Sequence, residues 1–275
     1  MLTSISNRVN TLLLVLILAV GIALVAMLAS GAHGGPLDPP GPPASTDAVR
    51  DPGTPISSLP YTITSPGYYY VTRPLTGTAS QNGVTILTSN VTLDLGGFTV
   101  GGGPSPGNGI DVGAFRNVVI RNGAVRGWQV GISAELAGNS RVDHMQVSSN
   151  NLDGIRLGPG SEINNCNASL NGGSGIVGHN IVVRMCTTTE NAAGIDVGGT
   201  ALVEDNRVSG NTGHGIGLYG DNDTVRNNEL SGNAGTDIFV ISGSGHVLRD
   251  NVYCTIVNFA TNTSITNNVD RTNAC

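Results

Sequence analysis

The sequence predicts an all-β protein wound as a parallel β-solenoid of about nine coils, each of about 21 residues. Two interleaved aliphatic series and a column of asparagines carry that expectation. In the first series isoleucine follows glycine, or once aspartate, at Ile110, Ile132, Ile155, Ile176, Ile195, Ile216 and Ile238, in steps of 22, 23, 21, 19, 21 and 22. In the second, Leu93, Ile120, Val142, Ile163, Val183, Val203, Val225, Leu248 and Ile265 recur at a spacing that is mostly 20 to 23. Asn150, Asn171, Asn191, Asn211 and Asn233 each follow a second-series aliphatic by eight residues. Short strands at this period, separated by glycine and asparagine turns, cannot bury a face alone. Stacked coil on coil, each pairs with its equivalent in the next coil.

From the N-terminus, the run 12–29 is uncharged and almost wholly apolar, with Arg8 before it and Ser30-Gly31-Ala32 after it. Residues 1–32 therefore read as an export signal or an N-terminal membrane anchor, and 12–29 is the one stretch expected to meet a membrane. Residues 33–56 are rich in proline and glycine without hydrophobic periodicity and read as a linker. The β-solenoid domain is expected over 57–275, opening on "LPYTITSPGYYYVTRPLTG" as a cap over an otherwise open sheet edge. In the coils, Ile110-Asp111-Val112, Ile155-Arg156-Leu157 and Ile195-Asp196-Val197 alternate with the period of a strand whose aliphatics face one side.

The asparagine column, and a second one at Asn206, Asn228, Asn251 and Asn268, suit stacked turns whose side-chain amides bond from coil to coil. Asp94, Arg121, Asp143, Asn164, Arg184, Glu204, Arg226 and Arg249 form an outward row in which opposite charges mostly neighbour one another, a solvated charge ladder. The cysteines keep the period: Cys254 and Cys275 are 21 residues apart and Cys166 and Cys186 are 20 apart. Each pair is expected to stack on adjacent coils within disulfide reach. A Cys254–Cys275 bridge would pin the last coil. For Cys166 and Cys186, a bridge and a pair of unbonded buried thiols both fit.

Composition excludes several functions. All 13 basic residues are arginine, so lysine Schiff bases, a phosphate-loop lysine and a lysine general base are absent. A net charge of −6 with no basic block offers no footprint for nucleic acid. No cysteine–histidine spacing of the zinc type occurs, and no cofactor is required.

Units such as "NNLDGIRLGPGSEINNCNAS" and "NTGHGIGLYGDNDTVRNNELS" resemble the right-handed parallel β-helix repeat family, the pectin-lyase-like fold, over about 57–275. The resemblance implies a single-stranded right-handed parallel β-helix, a polysaccharide or cell-envelope glycan as ligand, and chemistry on the outer face of one sheet. On that face the first series presents Asp111, Ser133, Arg156, Val177, Asp196, Gly217 and Phe239. Lyases of this fold use acidic calcium ligands with a basic residue, which makes Asp153, Arg156 and Asp196 candidate catalytic residues and Ca²⁺ a candidate ion. Polygalacturonases of this fold carry N-T-D, double-aspartate, G-H-G and R-I-K motifs. Asn151-Leu152-Asp153 and Gly213-His214-Gly215 resemble the first and third, adding His214 to the candidates. The other two motifs are missing, and His214 occupies a turn position held by Asn108, Val130, Asp153, Ser174, Ala193 and Thr236 in other coils. Asp111, Ser133, Tyr219 and Phe239 are candidate substrate contacts, and Trp128 is either a further sugar-stacking ring or a core plug. Two readings follow: an exported glycan-interacting or structural β-helix without a complete catalytic site, or a lyase or hydrolase of an acidic, pectin-like polysaccharide.

Overall fold

The computed structural model describes residues 53–104 and 106–271, in which every regular element is a strand. The expected export segment, most of the linker and Cys275 lie outside the described residues. Both aliphatic series become columns of the core. Ile155 pairs in parallel with Ile132 on one side and Ile176 on the other, and Ile163 pairs likewise with Val142 and Val183. Within Ile155–Leu157 the two aliphatics are buried while Arg156 faces outward, as strand alternation requires.

One coil contains three strands and three bends, as in Ser174–His179, Val182–Arg184 and Thr187–Thr189. The first strands form a ten-stranded sheet running from Tyr61–Ile63 to Ile256–Asn258, and the other two rows combine into a nineteen-stranded sheet. At Val118–Arg126 and Arg141–Ser148 those two rows fuse into one continuous strand. Ile155, Ile163, Ile176, Val183 and their stacked equivalents as far as Ile238 and Leu248 are buried between the sheets, whereas Ile265, the last of the second series, is 43 % exposed. Burial of each such side chain contributes about 1.5–3 kcal/mol, too little to order a whole coil alone, so stability accumulates by stacking.

Both asparagine columns form. In the first, the backbone N–H and Nδ2 of Asn171 both donate to Asn191 Oδ1, at 3.0 and 2.9 Å, and Asn191 bonds Asn211 in the same way. The second column repeats the pattern from Asn206 through Asn228 and Asn251 to Asn268. Most members are fully buried, and the amide is what allows a tight turn to be buried without orphaned backbone groups.

The structure corrects three expectations. The fold begins at Thr54–Ile56, ahead of residue 57, because Ile56 is wholly buried and pairs with Val71. A single apolar residue at the end of a proline-rich stretch carries no periodicity to announce it. The expected cap is itself the start of the helix: Tyr61–Ile63, Gly67–Val71 and Leu75–Thr76 pair with the following coil. The charge row is only partly solvated, since Asp94 and Glu204 are 7 and 8 % exposed. Arg121 covers Asp94 at 2.9 Å, and Arg184 and Arg226 close over Glu204 at 3.0 and 2.6 Å.

Of the two places open to Trp128, the structure decides for the core plug. It is 0 % exposed, and its Nε1 donates to the Val100 carbonyl at 3.0 Å. Gly77 and Gly83 make room for the indole, which would lie 2.2 and 2.9 Å from a Cβ at those positions.

Cys254 is disulfide-bonded, whereas Cys166 and Cys186 are free, buried thiols. Their sulfurs bond the Asn164 and Arg184 carbonyls at 3.1 Å, and the neighbouring Cys186 side chain, followed by burial, pushes the Cys166 thiol well above its usual range.

Candidate functional site

Parallel register turns the outward residues of the ten-stranded sheet into one continuous row. Asp111 pairs with Ser133, Ser133 with Arg156, Arg156 with Val177, Val177 with Asp196, Asp196 with Gly217 and Gly217 with Phe239. The bend residues ahead of each strand lie beside this row, and together the two rows make three polar constellations.

At one end, Asn108 Nδ2 donates to Asp111 Oδ1 at 2.9 Å. Asp111 and Ser133 are half-buried neighbours there. In the middle, Arg156 Nε donates to Asp153 Oδ2 at 2.6 Å, while Glu135 approaches the same guanidinium at 3.7 Å. The second Asp153 oxygen accepts the Ser174 backbone N–H at 2.7 Å. Asp153 thus ties one coil to the next, and the Arg156 charge is met by two carboxylates.

The third constellation centres on Asp196. Its Oδ1 lies 2.6 Å from His214 Nε2 and its Oδ2 accepts the Ser174 hydroxyl at 2.5 Å. Tyr219 stands close enough that burial, followed by the charge and hydrogen bond of Asp196, raises its phenol above the usual range. Gly217 makes the arrangement fit: a Cβ there would fall 2.4 Å from Asp196 Oδ1 and 2.6 Å from His214 Nε2. On the far side the His214 ring meets Phe239 at 5.9 Å between centroids, and Phe239 meets Phe259 edge-on at 5.8 Å. Phe259 is 70 % exposed.

Chemically, the Asp196 carboxylate accepts a hydrogen bond from His214 Nε2–H and so fixes the orientation of the ring. Ser174 bonds the carboxylate and not the histidine, so no serine nucleophile is assembled. His214 and Asp153, joined only by their likeness to two hydrolase motifs, lie three coils apart, about 14 Å. Asp111, Asp153 and Asp196 each face their own donors, and among the described residues no three His, Cys, Asp or Glu gather to hold a metal ion.

Of the eight residues marked as catalytic or substrate-contacting candidates, the fold unites Asp196, His214, Tyr219 and Phe239, pairs Asp153 with Arg156, and leaves Asp111 and Ser133 apart. Sequence reasoning overlooked Ser174, Glu135 and Phe259 as participants. Phe259 carried a usable signal, one period of 20 after Phe239. Ser174 and Glu135 carried none, because a hydrogen bond between coils leaves no trace in a single sequence.

A family profile described as periplasmic copper-binding protein (NosD) matches residues 178–269, about a third of the chain. No curated protein sequence is matched. Among solved structures, the A-module of a mannuronan C-5 epimerase from Azotobacter vinelandii superposes with a TM-score of 0.52 at 11 % identity, covering 81 % of this chain and 92 % of its own. A pectate lyase superposes at 0.50 and 16 % identity, covering 78 % of this chain and 68 % of its own. The enzymatically active domain of tailspike protein 2 from bacteriophage CBA120 superposes at 0.55 and 16 % identity, covering 78 % of this chain and 42 % of its own. At such identities the likeness is one of backbone path, and it agrees with the repeat, the register and the stacked asparagines: this chain is a right-handed parallel β-helix protein of the pectin-lyase-like fold.

Proposed function

We propose that the chain is an exported, carbohydrate-interacting β-helix protein that binds a glycan strand across the outer face of its ten-stranded sheet, centred on Asp196, His214 and Tyr219 and walled by Phe239 and Phe259. The observation that carries this reading is the junction of a fixed polar cluster with two aromatic rings, one of them largely exposed. Sugars present hydroxyls and C–H faces together, and such a junction satisfies both. A glycan partner is also in keeping with the polysaccharide-acting proteins that share the fold. The charge of the face favours a neutral glycan. Asp111, Glu135, Asp153 and Asp196 stand against the single cation of Arg156, so a polyuronate would need Ca²⁺ or a similar ion to bridge it.

Acid–base catalysis is the second reading, favoured by one feature: the Asp196 carboxylate orients His214. Affinity electrophoresis of the purified chain through gels containing neutral glucans and mannans, polygalacturonate or alginate, with Ca²⁺ or chelator, tests both. Retardation by a neutral glycan that is lost in Phe239→Ala and Phe259→Ala supports the binding reading. Equal mobility in every gel, or retardation unchanged in those variants, overturns it. New reducing ends or unsaturated product that disappear in His214→Ala would establish catalysis.

A further inference from the structure

The strands Ile216–Tyr219 and Ile238–Ser242 pair in step as far as Leu218 and Val240, and there the register slips: Tyr219 pairs with Ser242 and Ile241 is unopposed on that side. A bulge of this kind re-aims the side chains beside it. Here it sets Tyr219, at the centre of the candidate glycan site, against the bend that begins at Ser242. Behind the bulge, bends 219–223 and 242–246 are tied together at three points. Asp221 Oδ1 accepts the backbone N–H and the hydroxyl of Ser244, at 2.8 and 3.1 Å. Gly243 packs so closely on the Gly220 carbonyl that no Cβ fits between them. The third tie is the wholly buried pair of Asp223 and His246. In earlier coils the place of Asp223 is held by Ser161, Ile181 and Ala201, whose carbonyls accept from the next coil just as that of Asp223 does. The bend can therefore be built without an ionisable group, and here it buries two.

The pair spans two gaps, and each needs a proton. His246 Nε2 lies 3.0 Å from the Ser242 carbonyl, and His246 Nδ1 lies 3.4 Å from Asp223 Oδ2, with no other hydrogen-bond partner at either of the latter two atoms. Carbonyl and carboxylate only accept, so each gap is closed by one N–H or O–H. Two protons shared by ring and carboxyl close both gaps. With one proton, acceptors face each other across one gap, where neither side chain reaches water. The charged carboxylate then draws the remaining ring proton to Nδ1, and the Ser242 carbonyl loses its bond. Two more ionisable groups bear on Asp223, both through charge alone: His179 from an earlier coil, which lowers its value, and Asp221 of its own bend, which raises it. The following bend, 258–264, contains no titratable residue. Burial pushes the Asp223 carboxyl up to about 6, so the second proton leaves near neutral pH.

We propose that Asp223 and His246 are positioning residues of the glycan face: with a proton between them they hold the Ser242 carbonyl, and with it the bulge that aims Tyr219 at Asp196, and on losing that proton they release the bend. The proton leaves to solvent, and no other bond changes. This inference rests on the glycan-binding reading above and gives it a direction, tighter binding in acid than in alkali. A carboxyl whose folded value is raised keeps its proton below that value and loses it as pH rises through it, so the brace is closed on the acid side. His214 is a second titratable group at the face. Asp223→Asn separates the two, because the asparagine Nδ2 donates to His246 Nδ1 at every pH and leaves His214 untouched.

The test compares the full chain with Asp223→Asn at about pH 5 and about pH 8 by two readouts. The first is amide hydrogen exchange over 219–223 and 242–246, corrected for the intrinsic effect of pH; the second is retardation in gels containing neutral glucans and mannans. Between the two pH values the wild type should lose protection in both bends, and its glycan affinity should fall about tenfold, an ordinary size for coupling between sites. Asp223→Asn should keep the acid-side protection and affinity at both. Wild-type exchange that is the same at both pH values, or an Asp223→Asn profile that follows the wild type, overturns the proposal. So does exchange that changes with pH while affinity stays constant. If no glycan is retained at either pH, the binding reading falls by itself, and the exchange pattern alone decides whether the pair braces Tyr219.

Discussion

The imidazole of His246 and the carboxyl of Asp223 stand 3.4 Å apart with neither side chain exposed. His246 Nε2 lies 3.0 Å from the Ser242 carbonyl and must donate to it, so Nδ1 is the atom turned toward Asp223. Asp223 Oδ1 accepts the Ala201 N–H at 2.9 Å, which leaves Oδ2 to face Nδ1. A proton is needed between these two atoms, and burial supplies the bias. Desolvation pushes the Asp223 carboxyl up to about 6, against the Ala201 hydrogen bond and the electrostatic pull of His246 and His179, with Asp221 adding a smaller upward push.

That shift makes stability depend on pH in a stated direction. A carboxyl whose folded value is about 6 and whose ordinary value is 3.8 binds more protons folded than unfolded between those limits. Its contribution is therefore full below about pH 4 and is lost as pH rises to about 6, a change of about 3 kcal/mol for a shift of this size. In Asp223→Asn, Oδ1 still accepts from Ala201 and Nδ2 can donate to His246 Nδ1. The variant is expected to lose this slope and to equal or exceed the wild type in urea denaturation at pH 7. Parallel curves for the two proteins from pH 4 to 7 would remove Asp223 from the account.

The asparagine columns should show a gradient of cost. Asn191 accepts from Asn171 and donates to both Asn211 Oδ1 and the Ala168 carbonyl. Asn191→Ala leaves buried groups unpaired on two coils and should cost about 3–4 kcal/mol. Asn268, the last of the second column, accepts from Asn251 and donates to the Leu248 carbonyl, and it is only half-buried. Asn268→Ala should cost about 1 kcal/mol. Equal losses in chemical denaturation would mean that burial does not govern these ladders.

Trp128 is the single tryptophan of the chain, so intrinsic fluorescence reports one site. Its full burial predicts blue-shifted emission that glycan binding leaves unchanged, because the ring lies inside the core and away from Phe239. Trp128→Ala should cost about 3–5 kcal/mol, in the range of large aromatic truncations. Red-shifted emission from the native protein, or quenching by added glycan, would contradict this placement.

Gly217 tests the centre of the candidate site without touching a charged group. Gly217→Ala pushes a methyl group into the space where Asp196 Oδ1 meets His214 Nε2, both of them ends of side chains that can swing aside. Tm should change little, and glycan affinity should fall about tenfold, equivalent to about 1.4 kcal/mol. Unchanged affinity would shift the binding site away from this pair.

Legibility in the sequence followed the reach of the interaction. Ile155 and Asn191 could be placed from spacing alone, because in a stacked fold every equivalent residue falls one period away and repetition makes the position visible. The same logic set out the face bearing Asp111, Arg156, Asp196 and Phe239. Residues that occur once had no such voice. Ile56 begins the fold without a periodic partner, and Trp128 reads equally well as a surface ring or as a plug. His214 resembles a hydrolase motif whose aspartate proves to be three coils away. Its true partner, Asp196, is 18 residues earlier and less than a full period away, brought to 2.6 Å by the bend and by the missing side chain of Gly217. Composition and period were enough for the architecture because backbone pairing and burial repeat in every coil. The pairing of His214 with Asp196 and of His246 with Asp223 depends on which side chains meet across adjacent coils. That is a matter of distance and direction, and it exists only once the chain is wound.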